Sequence, residues 1–296
     1  MLYHQLPKGP VVLALALSVS VGATAARATE PVTAAVLRSQ GTQNLGMTIW
    51  RELNAGWSAY GDTQVEIDYS SLAVNPITPQ ALAATNADVL IISMAGTAFE
   101  YSDAEAAAIT DYVQAGHGLI VTYASIAKFL LHSPPRNQDL IPLLGMSETL
   151  SVGTSSWSDP LVFDLLVPQH PIFTGVNDLY MTGVPFTVVQ LLGTQWDLTT
   201  GIPLAQFTRD FNDLTHHSLI VANETDEYRS VYFPHYIEDK GAGTNEQDMQ
   251  VFYNSLIWTS AVPEPGTIVL LGTAVAGIWS SRRRRRTIEE RQQLLK

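Results

Sequence analysis

Between residues 32 and 123 the hydrophobic pattern changes period repeatedly. Residues 32–38 (VTAAVLR) are a dense apolar run that predicts a buried strand, residues 45–60 carry the spacing of an amphipathic helix, and residues 64–69 predict a second strand. A Pro-bounded loop and a helix over 79–85 lead into residues 87–93 (ADVLIIS), a continuous apolar run of the kind covered on both faces of a sheet. Ser102, Asp103, Ala104 and Glu105 open a helix that extends to Ala115, its start capped by a Ser or Asp side chain and its end set by Gly116. Residues 118–123 (GLIVTY) are the fourth strand. Strands and helices alternating a few residues apart predict one doubly wound parallel sheet with right-handed crossovers, in which 87–93 and 118–123 are adjacent, parallel and central.

Past Ala124 the pattern loses regularity. Residues 137–145 (NQDLIPLLG) predict a short helix under a loop, and residues 159–167 lead into His170-Pro171-Ile172-Phe173-Thr174-Gly175-Val176. Residues 186–192, 203–207, 219–223 and 229–233 are further strands, several of them antiparallel and near the sheet edge. Residues 247–259 close the domain as an amphipathic helix whose apolar face includes Met249, Phe252, Leu256 and Trp258.

The two ends do not belong to this pattern. Residues 1–10 carry His4 and Lys8 without an acid, residues 11–22 are almost wholly apolar, and Ala26-Arg27-Ala28 puts small residues where a signal peptidase reads. A signal peptide over 1–28 follows, cleaved after Ala28 or at the competing Ala23-Thr24-Ala25; a buried first helix is the alternative. At the other end Pro263, Glu264 and Pro265 cannot continue a helix, and residues 266–281 form a largely apolar span. Arg282, Arg283, Arg284, Arg285 and Arg286 then stay cytoplasmic, because clustered guanidinium charges resist translocation. As a helix the span is roughly 24 Å long at about 1.5 Å per residue, short of a hydrocarbon core of about 30 Å. It suits a transient anchor. The order of elements over 262–286 resembles the PEP-CTERM sorting signal of Gram-negative bacteria. That resemblance implies recognition by an exosortase, brief residence in the inner membrane, delivery to the cell envelope or beyond, and association with exopolysaccharide export. Residues 287–296, a polar tail expected on the cytoplasmic side, continue past the point where such signals usually stop.

These ends mask the charge of what lies between. Two of the 16 Lys and Arg precede Thr29 and seven follow Ser281, while two of the 28 Asp and Glu follow Ser281; residues 29–281 therefore hold 7 basic against 26 acidic side chains, a formal −19. Such a surface repels nucleic acid and anionic polymers unless divalent cations intervene, and favours solubility outside the cell. The absence of cysteine excludes disulfides, thiolate metal sites and a cysteine nucleophile. Residues 29–261 suffice for one large α/β domain stabilised by its core.

ADVLIIS, the acidic helix ending in DYVQAGHGLIVTY, HPIFTGV, and RSVYFPHY followed by VFYNSLIW together resemble the class I glutamine amidotransferase-like superfamily, nearest to its ThuA-like branch. The resemblance implies a flavodoxin-like three-layer sandwich with a mostly parallel central sheet. It also implies a nucleophile elbow after GLIVTY, where this chain has Thr122-Tyr123-Ala124-Ser125, so glutamine hydrolysis is excluded. Two readings stand for Ser125: a hydroxyl nucleophile with His235 as base and Glu238 or Asp239 orienting it, or a cap of the next helix. His235-Tyr236-Ile237-Glu238 is also looser than the superfamily's His-Pro-Glu arrangement.

Other candidates divide in the same way. The carboxyl ends of the central strands would place Ser93, Met94, Tyr123 and His170 at a ligand crevice, although His170 also reads as a satisfied loop histidine. His216 and His217 point to opposite faces of a strand and make a poor shared metal site. The acidic residues from Asp210 to Asp248 have oxygen ligands but no calcium-loop spacing, and read as a solvated surface. His117, between Gly116 and Gly118, is structural. No cofactor or metal is called for. Two function classes remain: a noncatalytic envelope protein whose crevice binds a carbohydrate or envelope partner, or a hydrolase of a carbohydrate or ester using Ser125 and His235.

Overall fold

The computed structural model describes residues 30–37, 49–72, 76–93, 101–122, 128–129, 137–147, 151–157, 161–177, 179–181, 186–192, 198–208, 216–235, 237 and 246–261. The leader 1–28, the sorting residues, span and basic block within 262–286, and the tail 287–296 lie outside them. Among the described residues no helix is long and apolar enough to cross a membrane.

The regular first half follows its hydrophobic pattern closely: β1 (Val32–Val36), α1 (Trp50–Gly56), β2 (Val65–Asp68), α2 (Pro79–Thr85), β3 (Val89–Ile92), α3 (Asp103–Gln114) and β4 (Gly118–Thr122). The caps explain where the helices begin. Thr78 Oγ1 accepts the Ala81 N–H at 3.1 Å ahead of Pro79, and Asn86 ends α2 in the left-handed region at φ 49°. Ser102 and Glu105 form a capping box, and the second oxygen of the buried Glu105 accepts the Ile77 N–H at 3.0 Å, tying α3 to the approach of α2.

The second half comprises β5 (Lys128–Phe129), β6 (Ser151–Trp157), β7 (Leu161–Leu165), β8 (Leu179–Met181), β9 (Phe186–Leu192), β10 (Ile202–Thr208), β11 (His216–Glu224), β12 (Arg229–Phe233) and α4 (Glu246–Ser260). The short helix expected over 137–145 is a 3₁₀ helix, Gln138–Leu144. β5, β6 and β8 were not anticipated. β6 (SVGTSSW) is small and polar, and the other two are too short to show a period.

Among the described residues twelve strands make one sheet. Its centre is parallel in the order β2-β1-β3-β4-β12, the flavodoxin-like arrangement, with Ile92 opposite Val121 and Val121 opposite Tyr232. β3 and β4 are thus adjacent, parallel and central. Beyond β12 the sheet continues antiparallel through β11, β10, β7 and β8, while β9 joins β11 to β6 and β6 to β5.

Alternation along the parallel strands divides the core in two. Leu90, Ile92, Leu119, Val121 and Tyr232 pack under α2, α3 and the 3₁₀ helix; Val89, Ile91, Ile120, Val231 and Phe233 pack under α1 and α4. Burial on both faces is why these strands are unbroken apolar runs, and each such side chain contributes about 1.5–3 kcal/mol. The far end of α4 lies so close to β4 that a Cβ on Gly118 would meet the Thr259 carbonyl oxygen at 2.7 Å. At the other side the terminal strand β2 is closed by Asn54 of α1: its Oδ1 accepts the Ile67 N–H at 2.8 Å and its Nδ2 donates to the Ile67 carbonyl at 2.9 Å.

Candidate functional site

Parallel strands give the domain two unlike poles. At the carboxyl pole, Ser93 follows β3, Thr122 ends β4 and His235 lies two residues past β12; all three are buried. Met94, Tyr123, Ser125 and Glu238 lie outside the described residues. β4 stands between β3 and β12, so the backbones of Ser93 and Phe233 are separated by about 9–10 Å at about 4.8 Å per ladder. The imidazole of His235 faces the other way, toward β7. Its ring centroid is 5.1 Å from Phe163 and 6.1 Å, edge-on, from Phe233.

His235 is fully buried, and among the described residues neither ring nitrogen has a hydrogen-bond partner. Burial pushes its pKa down to about 3. The ring therefore stays neutral near pH 7, far from the proton affinity a general base needs there. It belongs to a run of ring contacts: Phe233 lies 6.2 Å from Phe252, and Phe252 lies 5.2 Å from Trp50, whose buried indole nitrogen also has no hydrogen-bond partner among the described residues. Asp248, in the first turn of α4 and one turn before Phe252 on the same stripe, is fully buried. This corrects the expectation of a solvated carboxylate there. The period alone placed 248 in line with Phe252 and Leu256, a signal that its charge obscured.

The amino pole is built differently. β7 runs antiparallel to β10 and so delivers His170 to this end, away from Ser93 and His235. His170 Nδ1 accepts the Ile172 N–H at 3.4 Å, and its ring meets the Trp258 edge at 4.8 Å. Burial pushes its pKa below the ordinary histidine value; Glu224 opposes that shift and Arg229 adds to it. Arg229, at the start of β12, lies 5.1 Å over the Trp258 ring and donates to the carbonyls of Trp258 at 3.3 Å and Ala261 at 2.6 Å. Its Nε also donates to Glu224 at 2.8 Å. Sequence reasoning did not single out Arg229; in the sequence it is the first residue of a strand. His117 is at this pole too, stacked on Tyr112 at 3.9 Å, in keeping with a structural role. Burial pushes the His117 pKa down.

Among the described residues no group of three or more His, Asp and Glu side chains is placed to hold a metal ion. The structure thus puts Ser93 and His235 at one pole and His170 at the other, with His235 enclosed by aromatic rings.

The PEP-CTERM protein-sorting motif matches residues 261–285. A comparison with curated proteins returns no match. Among solved structures, the chain is similar to a putative ThuA-like protein from Bacteroides uniformis ATCC 8492, with TM-score 0.56, 15% identity, and coverage of 80% of this chain and 95% of that one. A putative ThuA-like protein from Parabacteroides merdae ATCC 43184 is similar with TM-score 0.52, 12% identity, and coverage of 78% and 91%. The chain thus carries a PEP-CTERM sorting motif, the mark of an exosortase-processed protein exported to the cell envelope, behind an α/β domain with the fold of ThuA-like proteins.

Proposed function

We propose that the exported domain is noncatalytic and binds a carbohydrate or another envelope partner at the carboxyl pole. The observation that carries this reading is His235: a fully buried imidazole with a pKa of about 3 and no hydrogen-bonded orienting group among the described residues is a poor base for a serine nucleophile. The missing cysteine removes the superfamily's usual nucleophile as well. In this reading a signal peptidase removes residues 1–28, residues 29–261 fold outside the inner membrane, and residues 266–281 hold the precursor until an exosortase cleaves near Pro263-Glu264-Pro265. The acidic surface keeps the domain soluble and away from nucleic acid.

The test is a glycan-binding and hydrolysis screen on residues 29–261, run beside the Ser125→Ala/His235→Ala double variant. Binding without turnover supports the reading. Hydrolysis that falls by several orders of magnitude in the double variant overturns it in favour of a carbohydrate or ester hydrolase. Mass spectrometry of the mature protein from its host should find no peptide beyond about Gly266, and recovery of residues 287–296 on the extracellular form would contradict the processing scheme.

A further inference from the structure

We propose that Arg229 fixes the point where the chain leaves the domain for its sorting signal, so that the anchored precursor stands on its amino pole with the carboxyl pole turned away from the bilayer. This rests on reading residues 266–281 as a membrane span. The structural argument begins at the end of α4. Helix C-termini leave carbonyls without intrahelical donors and fray readily. Here one guanidinium donates to the carbonyls of Trp258 and Ala261, packs over the Trp258 ring and pairs with Glu224. His170 meets the same ring, and the lack of a Cβ on Gly118 lets the Thr259 turn sit directly on β4. Ala261, the last described residue and the first of the matched sorting motif, is therefore held through Arg229 to a strand, a ring and a carboxylate, all at one pole.

Tether length turns that attachment into orientation. Residues 262–265 reach at most about 14 Å when extended. The fifteen residues of α4 separate the poles by about 22 Å at 1.5 Å per residue. A domain held this short cannot invert. Releasing residues 258–261 from the helix end would double the tether to about 28 Å, enough for the domain to tumble. Electrostatics does not supply the orientation, since Glu224, Asp226 and Glu227 give the amino pole exposed acids that anionic lipid repels. At about 14 Å that repulsion is mostly screened, the Debye length being about 8 Å in physiological salt. Geometry decides.

Because the chain has no cysteine, single labels can be introduced cleanly. The experiment uses the full-length precursor, leader removed during export in a host without exosortase, reconstituted into phospholipid vesicles carrying a headgroup quencher. One variant carries a fluorophore on Asp226→Cys, an exposed position at the amino pole, and the other on Gln80→Cys, an exposed position in the first turn of α2 at the carboxyl pole. The expected result is quenching several-fold stronger at 226 than at 80. Arg229→Ala should narrow the gap, and a flexible Gly/Ser insertion of about twenty residues after Ala261 should abolish it. Equal quenching in the parent, a gap unchanged by Arg229→Ala, or a gap that survives the insertion would each overturn the proposal. A precursor that fails to float with the vesicles overturns the span reading and this proposal with it, an outcome distinct from the quenching results.

Discussion

The two histidines at opposite poles show how differently one side chain can be buried. At the amino pole His170 accepts a backbone N–H, meets a tryptophan edge and lies within the field of Glu224 and Arg229. At the carboxyl pole His235 is more deeply buried and surrounded by Phe163 and Phe233, with no hydrogen-bond partner among the described residues. The first arrangement stabilises; the second costs stability, because a buried polar group without partners forfeits its hydration. The amino pole is built as an attachment. The carboxyl pole carries a strained demand in its core, the kind of feature that folding alone does not select.

Acid should separate the poles most strongly. The folded pKa of His235 is about 3, against an unfolded value near 6.5. Between those values the unfolded chain binds the proton and the folded chain does not, so stability is complete above pH 6.5 and declines as pH falls toward 3. The slope approaches about 1.4 kcal/mol per pH unit. Urea denaturation at pH 7 and pH 4 should show a loss in the parent that exceeds the loss in His235→Leu by about 2–3 kcal/mol; equal losses would mean that His235 has access to solvent or a partner.

Breaking the other pole should cost less. Arg229→Ala removes two donors to carbonyls and the packing on Trp258, and should destabilise by about 2 kcal/mol. Little of that comes from Glu224, whose side chain is 50% exposed, so Glu224→Gln should fall within about 0.5 kcal/mol of the parent. Hydrogen exchange should quicken in the last turn of α4 in the Arg229 variant and leave its first turn unchanged. Gly118→Ala should lower stability by about 1–3 kcal/mol, because the added methyl drives against the Thr259 carbonyl; thermal melts decide it. His170→Ala should cost less than Arg229→Ala, about 1 kcal/mol for an edge contact and a weak backbone acceptor. A larger loss there than at Arg229 would relocate the attachment from the guanidinium to the imidazole.

The parallel centre was legible because its strands are buried on two faces. ADVLIIS and GLIVTY declare strand, burial and adjacency together, and the capping box at Ser102 and Glu105 fixes the start of the helix between them. The antiparallel half was legible only in part: residues 186–192, 203–207 and 219–223 read as strands, β5, β6 and β8 did not, and directions were unmarked. Residues 161–165 carry no mark of which way they run, and that direction decides which pole receives His170. Asp248 and Arg229 were missed for a related reason: a charged residue reads as solvent-facing until the helix stripe or the strand start that carries it has been placed. Chemistry followed topology here, and topology is set by contacts far apart in the chain.

Asn54 has a consequence at the scale of many molecules. Its amide copies a peptide group, and by engaging both the N–H and the carbonyl of Ile67 it occupies two of the outward main-chain groups that a neighbouring molecule's strand would use. Exported proteins delivered through one route accumulate side by side at a surface, where an open sheet margin invites polymerisation into fibres. A margin capped at Ile67 by a residue of the same domain is a weaker template for such pairing.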